Sequence, residues 1–107
     1  MDDENLLFRA LADPARRTLL DRLHAHNGQT LAGLSQGFAM TRQAIAKHLA
    51  VLEQANLVAT RRQGREKLHY LNPVPIHEIA ERWIGKFERP LLGALADLKR
   101  SLEGERP

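Results

Sequence analysis

The chain has 107 residues, of which 43% are hydrophobic, with a net charge of +3 and no cysteine. This composition supplies one modest hydrophobic core, so we expect a single domain over residues 1–107. The absence of cysteine excludes disulfides, thiolate metal sites and thiol redox sensing. No run of about 18 apolar residues exists, and the first residues are acidic, unlike those of a signal peptide, so we expect a cytoplasmic protein without a membrane span.

The positive charge is concentrated in one segment. Residues 41–67 hold six Lys and Arg against two Asp and Glu, a sum of +4, whereas residues 1–40 sum to −1 and residues 68–107 to zero. An isolated charge run is more often a solvated surface than a binding site. Here the excess coincides with a helix and a hairpin, which favours a surface for phosphate.

The beginning of the chain predicts two helices that meet at a corner. Apolar residues at helical spacing mark the first helix, which should end at Ala12 or Asp13; they are Leu6, Leu7, Phe8 and Leu11. Asp13 and Pro14 then predict a second helix, because Asp is a good N-cap and Pro is tolerated at the first helical position. Its buried stripe is Leu19, Leu20 and Leu23, and Gly28 is the expected stop.

Two more helices follow, and the second of them has a polar face. Thr30 can cap a short third helix that turns Leu31 and Leu34 inward and ends at Gly37. Thr41 caps the fourth helix, whose residues Ile45, Leu49 and Leu52 recur at i, i+4 and i+7 and must face the core. The residues that then point outward are Arg42, Gln43, Ala46 and Lys47.

A basic hairpin comes next. Residues 57–62 and 67–71 have strand character, and residues 63–66 form the turn, where Gly64 is free to adopt a positive φ. The cations of the hairpin are Arg61, Arg62, Arg65 and Lys67. A polar helix face followed by a cationic hairpin is typical of a recognition helix and a wing that bind duplex DNA.

The last third predicts a long helix that begins at Pro75 and carries two apolar stripes. The first stripe is Ile76, Ile79, Ala80, Trp83, Ile84 and Phe87, and the second is Leu91, Leu92, Leu95, Leu98 and Leu102. Pro90 removes a backbone hydrogen bond and should kink or break the helix near Glu88 and Arg89. A stripe this wide exceeds what a small core covers, so we expect it to pack against the first helix and a second subunit, with folding back onto its own chain as the alternative.

Several motifs occur in a fixed order along nearly the whole chain. They are residues 11–17 (LADPARR), 40–49 (MTRQAIAKHL), 52–53 (LE) with 57–58 (LV), and 64–65 (GR) before 70–71 (YL). In this order and spacing they resemble the ArsR family of bacterial winged helix-turn-helix transcriptional repressors. The resemblance implies a mainly α fold with a small β-hairpin and a homodimer that binds an operator and is released by a signal.

The resemblance also divides the predicted domain into parts. Residues 30–56 would be the helix-turn-helix, residues 57–71 the wing, and residues 2–28 and 75–103 the dimerisation helices. Family members dimerise through their first and last helices, in agreement with the apolar stripes. The predicted dimer-interface residues are Leu7, Phe8, Leu11, Trp83, Phe87, Leu91, Leu95 and Leu98.

Roles in DNA binding can be assigned to individual residues. The geometries of Arg42 and Gln43 match guanine and adenine edges in the major groove. Thr41 and Lys47 would hold phosphates, while Ala46 leaves room for a groove floor; many family members carry Ser at that position. Arg65 at the hairpin tip would enter or skirt the minor groove, with Arg61, Arg62 and Lys67 along the backbone. The predicted partners are double-stranded DNA, a second copy of the chain and an unknown inducer.

The metal-sensing motifs of the family have no match in this chain. Founding members use a Cys-containing motif on the third helix, where residues 31–36 read LAGLSQ, and other members use paired Asp and His on the last helix. The chain is closer to the metal-independent branch with a Trp-bearing last helix, so we expect no metal and no cofactor. A metal-responsive repressor with His and carboxylate ligands is an alternative, and its one candidate cluster is His77, Glu78 and Glu81.

The other histidines have structural interpretations. His24 and His26 lie two residues apart near a helix end, where they would face different sides of the helix and interact with its dipole. His48 is expected to be a hydrogen-bonded structural residue, and His69 lies in the hairpin.

Other functional classes fit the chain less well. There is no Gly-rich phosphate loop, nucleophile elbow or Ser with a suitably spaced His and acid, so we do not expect an enzyme. Single-strand and RNA binders place aromatic residues among their basic ones, and residues 41–67 contain no Phe, Tyr or Trp. A helical protein-interaction module without DNA binding is the remaining alternative.

Overall fold

The computed structural model describes residues 3–87 and 89–104. The described part is mainly α-helical with one antiparallel β-hairpin, as predicted. Its elements in chain order are α1 (Asp3–Leu11), α2 (Pro14–Ala25), α3 (Leu31–Ser35), α4 (Arg42–Gln54), β1 (Val58–Gln63), β2 (Glu66–Leu71), α5 (Val74–Lys86) and α6 (Arg89–Gly104).

The chain divides into two compact units rather than forming one body. The first unit is residues 1–76 and the second is residues 77–107. Helices α1 to α4 and the hairpin belong to the first unit, whereas α6 and most of α5 belong to the second. Each unit is described by itself below, and the single domain expected from composition stays a prediction.

The corner between α1 and α2 forms as the sequence predicts. Asp13 has an extended backbone, and its carboxylate accepts hydrogen bonds from the backbone N–H groups of Ala15 at 2.8 Å and Arg16 at 3.2 Å. Desolvation raises the pKa of Asp13, but these two N–H groups and the nearby Arg16 outweigh it and hold the pKa below its ordinary value. Helix α1 ends at Leu11, one residue earlier than the predicted end.

The core of the first unit consists mainly of leucines from several elements. Its buried residues are Leu7, Ala10, Leu19, Leu20, Leu23, Leu34, Ile45, Leu49, Leu52, Ala55, Leu57 and Val58. Leu7 corrects a prediction: only 3% of it is exposed, because it packs into the core of its own chain. It therefore has no surface left for the predicted dimer interface, whereas Phe8 is 39% exposed and Leu11 is half-buried.

Gly28 has a different role from the predicted one. Helix α2 already ends at Ala25, so Gly28 lies three residues beyond it in the connection to α3. Its φ of +78° and its closeness to Tyr70, whose ring would lie 3.2 Å from an added Cβ, both favour glycine. Glycine at this position allows the α2–α3 connection to approach Tyr70 of the hairpin closely, although the two segments are far apart in the sequence.

The second unit consists of helices with broad apolar faces. Helix α5 ends at Lys86 and α6 begins at Arg89, so the long predicted helix is divided in two; Glu88 lies outside the described residues. The start at Val74 is one residue before the predicted Pro75. The leucines of α6 are exposed, namely Leu91, Leu92, Leu95, Leu98 and Leu102.

Candidate nucleic-acid interface

The beginning of α4 is fixed by a side-chain cap. Thr41 is extended, with φ −68° and ψ 159°, and its hydroxyl oxygen accepts a hydrogen bond from the backbone N–H of Ala44 at 3.1 Å. The backbone carbonyl of Thr41 accepts from Ile45 N at 3.1 Å, which closes the first helical turn. The cap predicted from the sequence is therefore present.

The two faces of α4 differ sharply in burial. Ile45, Leu49 and Leu52 are at most 2% exposed and anchor the helix in the core of the first unit. On the opposite side a group of exposed residues faces solvent: Arg42, Gln43, Ala46 and Lys47. The predicted orientation of this helix is confirmed, and a polar, cationic helix surface is available for a ligand.

Arg22 of α2 holds the helix that precedes α4. Its Nη1 donates to the carbonyl oxygen of Leu34 at 2.8 Å and also to that of Gln36, which satisfies the C-terminal end of α3. The same guanidinium lies 4.3 Å from the centre of the Phe38 ring in the turn that leads to α4. Sequence reasoning missed Arg22, since a lone Arg on a helix gives no signal of what it contacts.

Asn56 ends α4 and sets the direction of the hairpin. It has a left-handed backbone, with φ +61°, and its N–H donates to the carbonyl of Glu53 at 3.0 Å. Leu57 N donates to the carbonyl of Leu52 at 2.9 Å, so the two bonds form a Schellman motif. Asparagine adopts this conformation more readily than most residues, and this preference was the available signal.

The hairpin is regular and tightly turned. Strands β1 and β2 pair from Val58 with Leu71 to Gln63 with Glu66. Gly64 takes a φ of +63° as the first of two loop residues, the position at which a type II′ turn requires glycine. The prediction for Gly64 is confirmed, and the predicted wing residues Arg61, Arg62 and Arg65 are exposed.

Lys67 differs from the other cations of the hairpin. Its Nζ lies 3.6 Å from the Oε1 of Glu53 on α4, and both side chains are partly exposed. The ion pair joins the second strand of the hairpin to α4. Sequence analysis assigned Lys67 to phosphate without this partner, because Glu53 lies 14 positions away and faces the same place only after folding.

His69 attaches the base of the hairpin to the α2–α3 connection. It is the most buried residue of β2, at 4% exposure, and its Nδ1 donates to the carbonyl oxygen of Gln29 at 2.9 Å. Its backbone N–H donates to the same carbonyl at 2.8 Å, and its carbonyl accepts from Gly28 N at 2.9 Å. The sequence alone placed His69 in the hairpin without a role, because its partner Gln29 lies 40 positions away along the chain.

A cavity of about 360 Å³ lies between α3, α4 and β2. Apolar groups from Leu31, Ala32 and Leu49 line it together with Glu53, Lys67 and His69. This cavity could not be predicted from the sequence, since folding brings β2 against two helices that precede it by more than ten residues.

Residues 3–87 and 89–104 contain neither a metal-binding cluster nor a membrane-spanning helix. No group of three or more His, Asp or Glu side chains in this part of the chain is placed to hold a metal ion, and His77, Glu78 and Glu81 do not form one. No helix of the described residues has both the length and the apolar character needed to span a membrane.

Comparisons with known sequences identify relatives over most of the chain. A family model described as a helix-turn-helix domain matches residues 11–61. The HTH-type transcriptional regulator YuzN of Bacillus subtilis is 39% identical over 88 residues, which cover 77% of this chain and 96% of YuzN. The transcriptional repressor SdpR of the same organism is 30% identical over 74 residues, which cover 69% of this chain and 81% of SdpR.

Solved structures show the same architecture. A crystal structure of an ArsR family transcriptional regulator aligns with a TM-score of 0.71 and 28% identity, covering 98% of this chain and all of the other. An ArsR-like transcriptional regulator from Rhodococcus sp. RHA1 aligns with a TM-score of 0.70 and 28% identity, covering 92% and 91% of the two chains. The protein therefore belongs to the ArsR family of winged helix-turn-helix proteins, which are DNA-binding transcriptional regulators and not enzymes.

Proposed function

We propose that the protein is a homodimeric repressor that binds an inverted-repeat operator in double-stranded DNA. The observation that carries this proposal is the exposed polar face of α4, which is held outward by three buried aliphatic residues and lies on the helix that leads into a basic hairpin. A recognition helix must present side chains to the floor of the major groove, and an exposed polar face is suited to this. The repressor SdpR, a relative of this chain, supports the direction of regulation.

Base reading is assigned to the first turn of α4. Arg42 makes two hydrogen bonds to guanine O6 and N7, and Gln43 pairs with adenine N6 and N7, because these planar groups match those edges. Both side chains are exposed, and Ala46 on the same face is small enough for close approach to the groove. Each two-bond pair contributes about 1–3 kcal/mol of discrimination against the wrong base.

Phosphate contacts are assigned to residues around this reading face. The hydroxyl oxygen of Thr41 is used by the helix cap as an acceptor, which leaves its proton to donate to a phosphate. Lys47 on α4 and Arg61, Arg62 and Arg65 on the hairpin supply positive charge, with Arg65 in or beside the minor groove. Lys67 joins them once it exchanges Glu53 for a phosphate.

The homodimer is assigned to the first and last helices. Their exposed apolar side chains support this assignment, since a large uncovered apolar surface marks an interaction site. The residues proposed to form the interface are Phe8, Leu11, Trp83, Phe87, Leu91, Leu95 and Leu98. Two-fold symmetry would place the two copies of α4 about 34 Å apart and select an inverted repeat.

The cellular setting follows from this function. A bacterial repressor works in the cytoplasm, and we infer that the two units act together as one regulatory domain over residues 1–107. The chain has no cysteine for thiolate sensing, so we place it in the metal-independent branch of the family, released by an inducer whose identity is open.

Selection of bound duplexes from a random library, followed by a salt series, tests the proposal. We expect a two-fold symmetric motif and, for about eight phosphate contacts, an affinity that falls by roughly 10³ to 10⁵ between 50 and 200 mM salt. Arg42→Ala and Gln43→Ala should each relax the preference at one base position in both half-sites. A library that yields no motif, or a flat salt response, would overturn the proposal.

Ala50→Ser is the matched control for the reading residues. Ala50 is exposed on the same helix, two turns beyond Arg42, outside the residues assigned to base reading. This variant should bind the selected motif with unchanged preference. A loss of preference equal to that of Arg42→Ala would instead indicate that the whole helix surface, rather than its first turn, reads the bases.

A further inference from the structure

Arg16 joins the end of α1 to the recognition helix. Its Nε donates to the carbonyl oxygen of Ala10 at 2.9 Å, and its Nη2 donates to that of Arg9 at 2.9 Å. Carbonyls in the last turn of a helix have no partner within the helix, so Arg16 caps α1. A third nitrogen, Nη1, lies 3.2 Å from the Nδ1 of His48 on α4.

The chemistry of this contact decides which of the two groups donates. An arginine side chain stays protonated in proteins and offers only donors. His48 Nδ1 is therefore the acceptor in this contact. The interpretation of His48 as a hydrogen-bonded structural residue is confirmed, and its partner is a residue of the 11–17 motif.

We propose that Arg16 is a positioning residue for DNA reading: through His48 it sets the rotation of α4 about its own axis. This inference rests on the proposed function of α4. His48 follows Lys47 directly and is half-buried, on the side of α4 that contacts α2. The buried aliphatic residues decide which face of the helix is exposed, but apolar burial is non-directional and sets the exact angle less sharply than a hydrogen bond does. The Arg16 guanidinium is planar and is held by two carbonyl groups of α1. Its hydrogen bond to His48 is directional, so it restricts the rotation of α4.

A small rotation is enough to affect base reading. With side chains, an α-helix has a radius of about 5–6 Å, so a turn of about 10° moves the outer atoms by about 1 Å. Hydrogen bonds to base edges tolerate a spread of only about 0.5 Å in donor–acceptor distance. Loss of the Arg16–His48 contact should therefore weaken sequence-specific binding and leave phosphate attraction unchanged.

Arg17 is a natural control in the same motif. Its Nη1 donates to the carbonyl oxygen of Leu11 at 2.6 Å, so it also caps the end of α1. It differs from Arg16 in contacting α1 from an exposed position, without the hydrogen bond to His48. Arg16→Lys and Arg17→Lys therefore make the same chemical change at the same corner, and only the first interrupts the link to α4.

The test measures binding to the selected operator and to unrelated duplex for four single variants and one double variant. Arg16→Lys and His48→Ala should each lower operator affinity by roughly 10-fold, as expected for a hydrogen bond to a charged group, with unrelated duplex and the salt slope unchanged. His48→Gln should retain most of the affinity, because its amide oxygen can accept from Arg16, and Arg17→Lys should match the wild type. The double variant Arg16→Lys with His48→Ala should be no weaker than the weaker single variant.

Three results would overturn the inference. One is operator affinity in Arg16→Lys equal to that of the wild type. Another is an equal loss in Arg17→Lys, which would indicate a general effect of the corner. The third is a parallel loss on operator and unrelated duplex that follows the urea unfolding curves, which would make Arg16 a residue of stability alone.

A measurement without DNA separates this inference from the proposed function. If the wild type shows no sequence preference at all, the proposed function fails, and the amide chemical shifts of residues 42–49 in the free protein still test the positioning role. Arg16→Lys should move these shifts and Arg17→Lys should leave them in place. Equal spectra of α4 in both variants would overturn the role of Arg16 whatever the protein binds.

Discussion

The leucines of the two units have opposite surroundings. In the first unit Leu19, Leu23, Leu34, Leu52 and Leu57 are completely buried by neighbouring helices and the hairpin. In α6 the leucines are between 45% and 58% exposed, although they form an equally regular helical stripe. Leucine side chains are thus buried by their own chain in one region and exposed to solvent in the other.

This difference marks the region on which the proposed homodimer would depend. Burying a leucine side chain stabilises a protein by about 1.5–3 kcal/mol relative to leaving it exposed, and the first unit obtains this within its own core. The second unit obtains it only when another apolar surface covers α5 and α6. The homodimer proposed above supplies that surface and joins two reading faces, so oligomerisation and stability of the second unit become one property.

The largest expected effect comes from a charge in the uncovered stripe. Leu95→Asp should prevent dimerisation, because an unpaired charge in an apolar interface costs about 3–5 kcal/mol and two-fold symmetry introduces it twice. Sedimentation equilibrium should show a monomer, and operator binding should be lost. Ala96→Asp is the control, since the next residue on a helix points about 100° away. A dimer that persists in Leu95→Asp would show that α6 is covered in some other way.

A matched pair of truncations compares the two regions directly. Leu52→Ala should lower the free energy of unfolding by about 2–5 kcal/mol, since it leaves a cavity in a closed core. Leu98→Ala should have a small effect on unfolding of dilute protein and should instead raise the dissociation constant of the dimer. Urea unfolding at several protein concentrations measures both quantities. Equal and concentration-independent losses in the two variants would remove the distinction between the units.

A smaller effect is expected within the DNA-binding surface of the first unit. Glu53→Gln breaks the ion pair with Lys67, which contributes at most about 1 kcal/mol, and frees one cation per subunit for phosphate. Operator affinity should rise a few-fold at low salt, because Lys67 then reaches a phosphate without first leaving Glu53, and the salt slope should stay near that of the wild type. The dimer constant should not change.

Glu66→Gln is the control for net charge in that experiment. Glu66 is exposed on the hairpin, so its removal changes the total charge by the same amount without releasing Lys67. If Glu53→Gln and Glu66→Gln give the same affinity and slope, overall charge accounts for the gain, and the ion pair has no special part in DNA binding.

The smallest effect concerns the pH dependence of the first unit. The pKa of Asp13 is lower in the folded protein than the value of about 3.9 expected in the unfolded chain. Its carboxylate therefore stabilises the fold fully above the unfolded value, and this stabilisation is lost as the pH falls through the folded value. Asp13→Asn keeps a capping oxygen but cannot titrate.

Urea unfolding from pH 7 to pH 2 measures this contribution. The wild type should be the more stable protein at pH 7, and its advantage over Asp13→Asn should shrink below about pH 4. A constant difference across the whole range would show that the cap acts through geometry alone and that charge adds nothing.

Local signals in the sequence were sufficient for most elements of the first unit. Asp13, Thr30 and Thr41 cap the helices that were predicted from them, and Gly64 takes the backbone conformation that the turn needs. These features involve residues within four positions of each other, so neighbouring residues alone determine them. The helical spacing of Ile45, Leu49 and Leu52 likewise indicated the buried face of α4, and with it the exposed one.

Contacts between residues that are distant in the sequence could not be predicted from such local signals. The pairing of Arg16 with His48, of Lys67 with Glu53 and of His69 with Gln29 joins positions 14 to 40 residues apart. The residue types do not indicate these partners. An Arg, Lys or His side chain on a helix or strand can hydrogen-bond to water equally well. The burial of Leu7 within its own chain was missed for the same reason.

The sequence by itself determined the helices, the hairpin, the polar face of α4 and the location of positive charge, because each depends on periodicity, capping or composition. Tertiary structure decided which cations are already paired, which leucines are covered and how the recognition helix is held. Those properties depend on the packing of elements that are far apart in the chain, and a hydrogen bond or an apolar contact exists only once folding has placed both partners within reach.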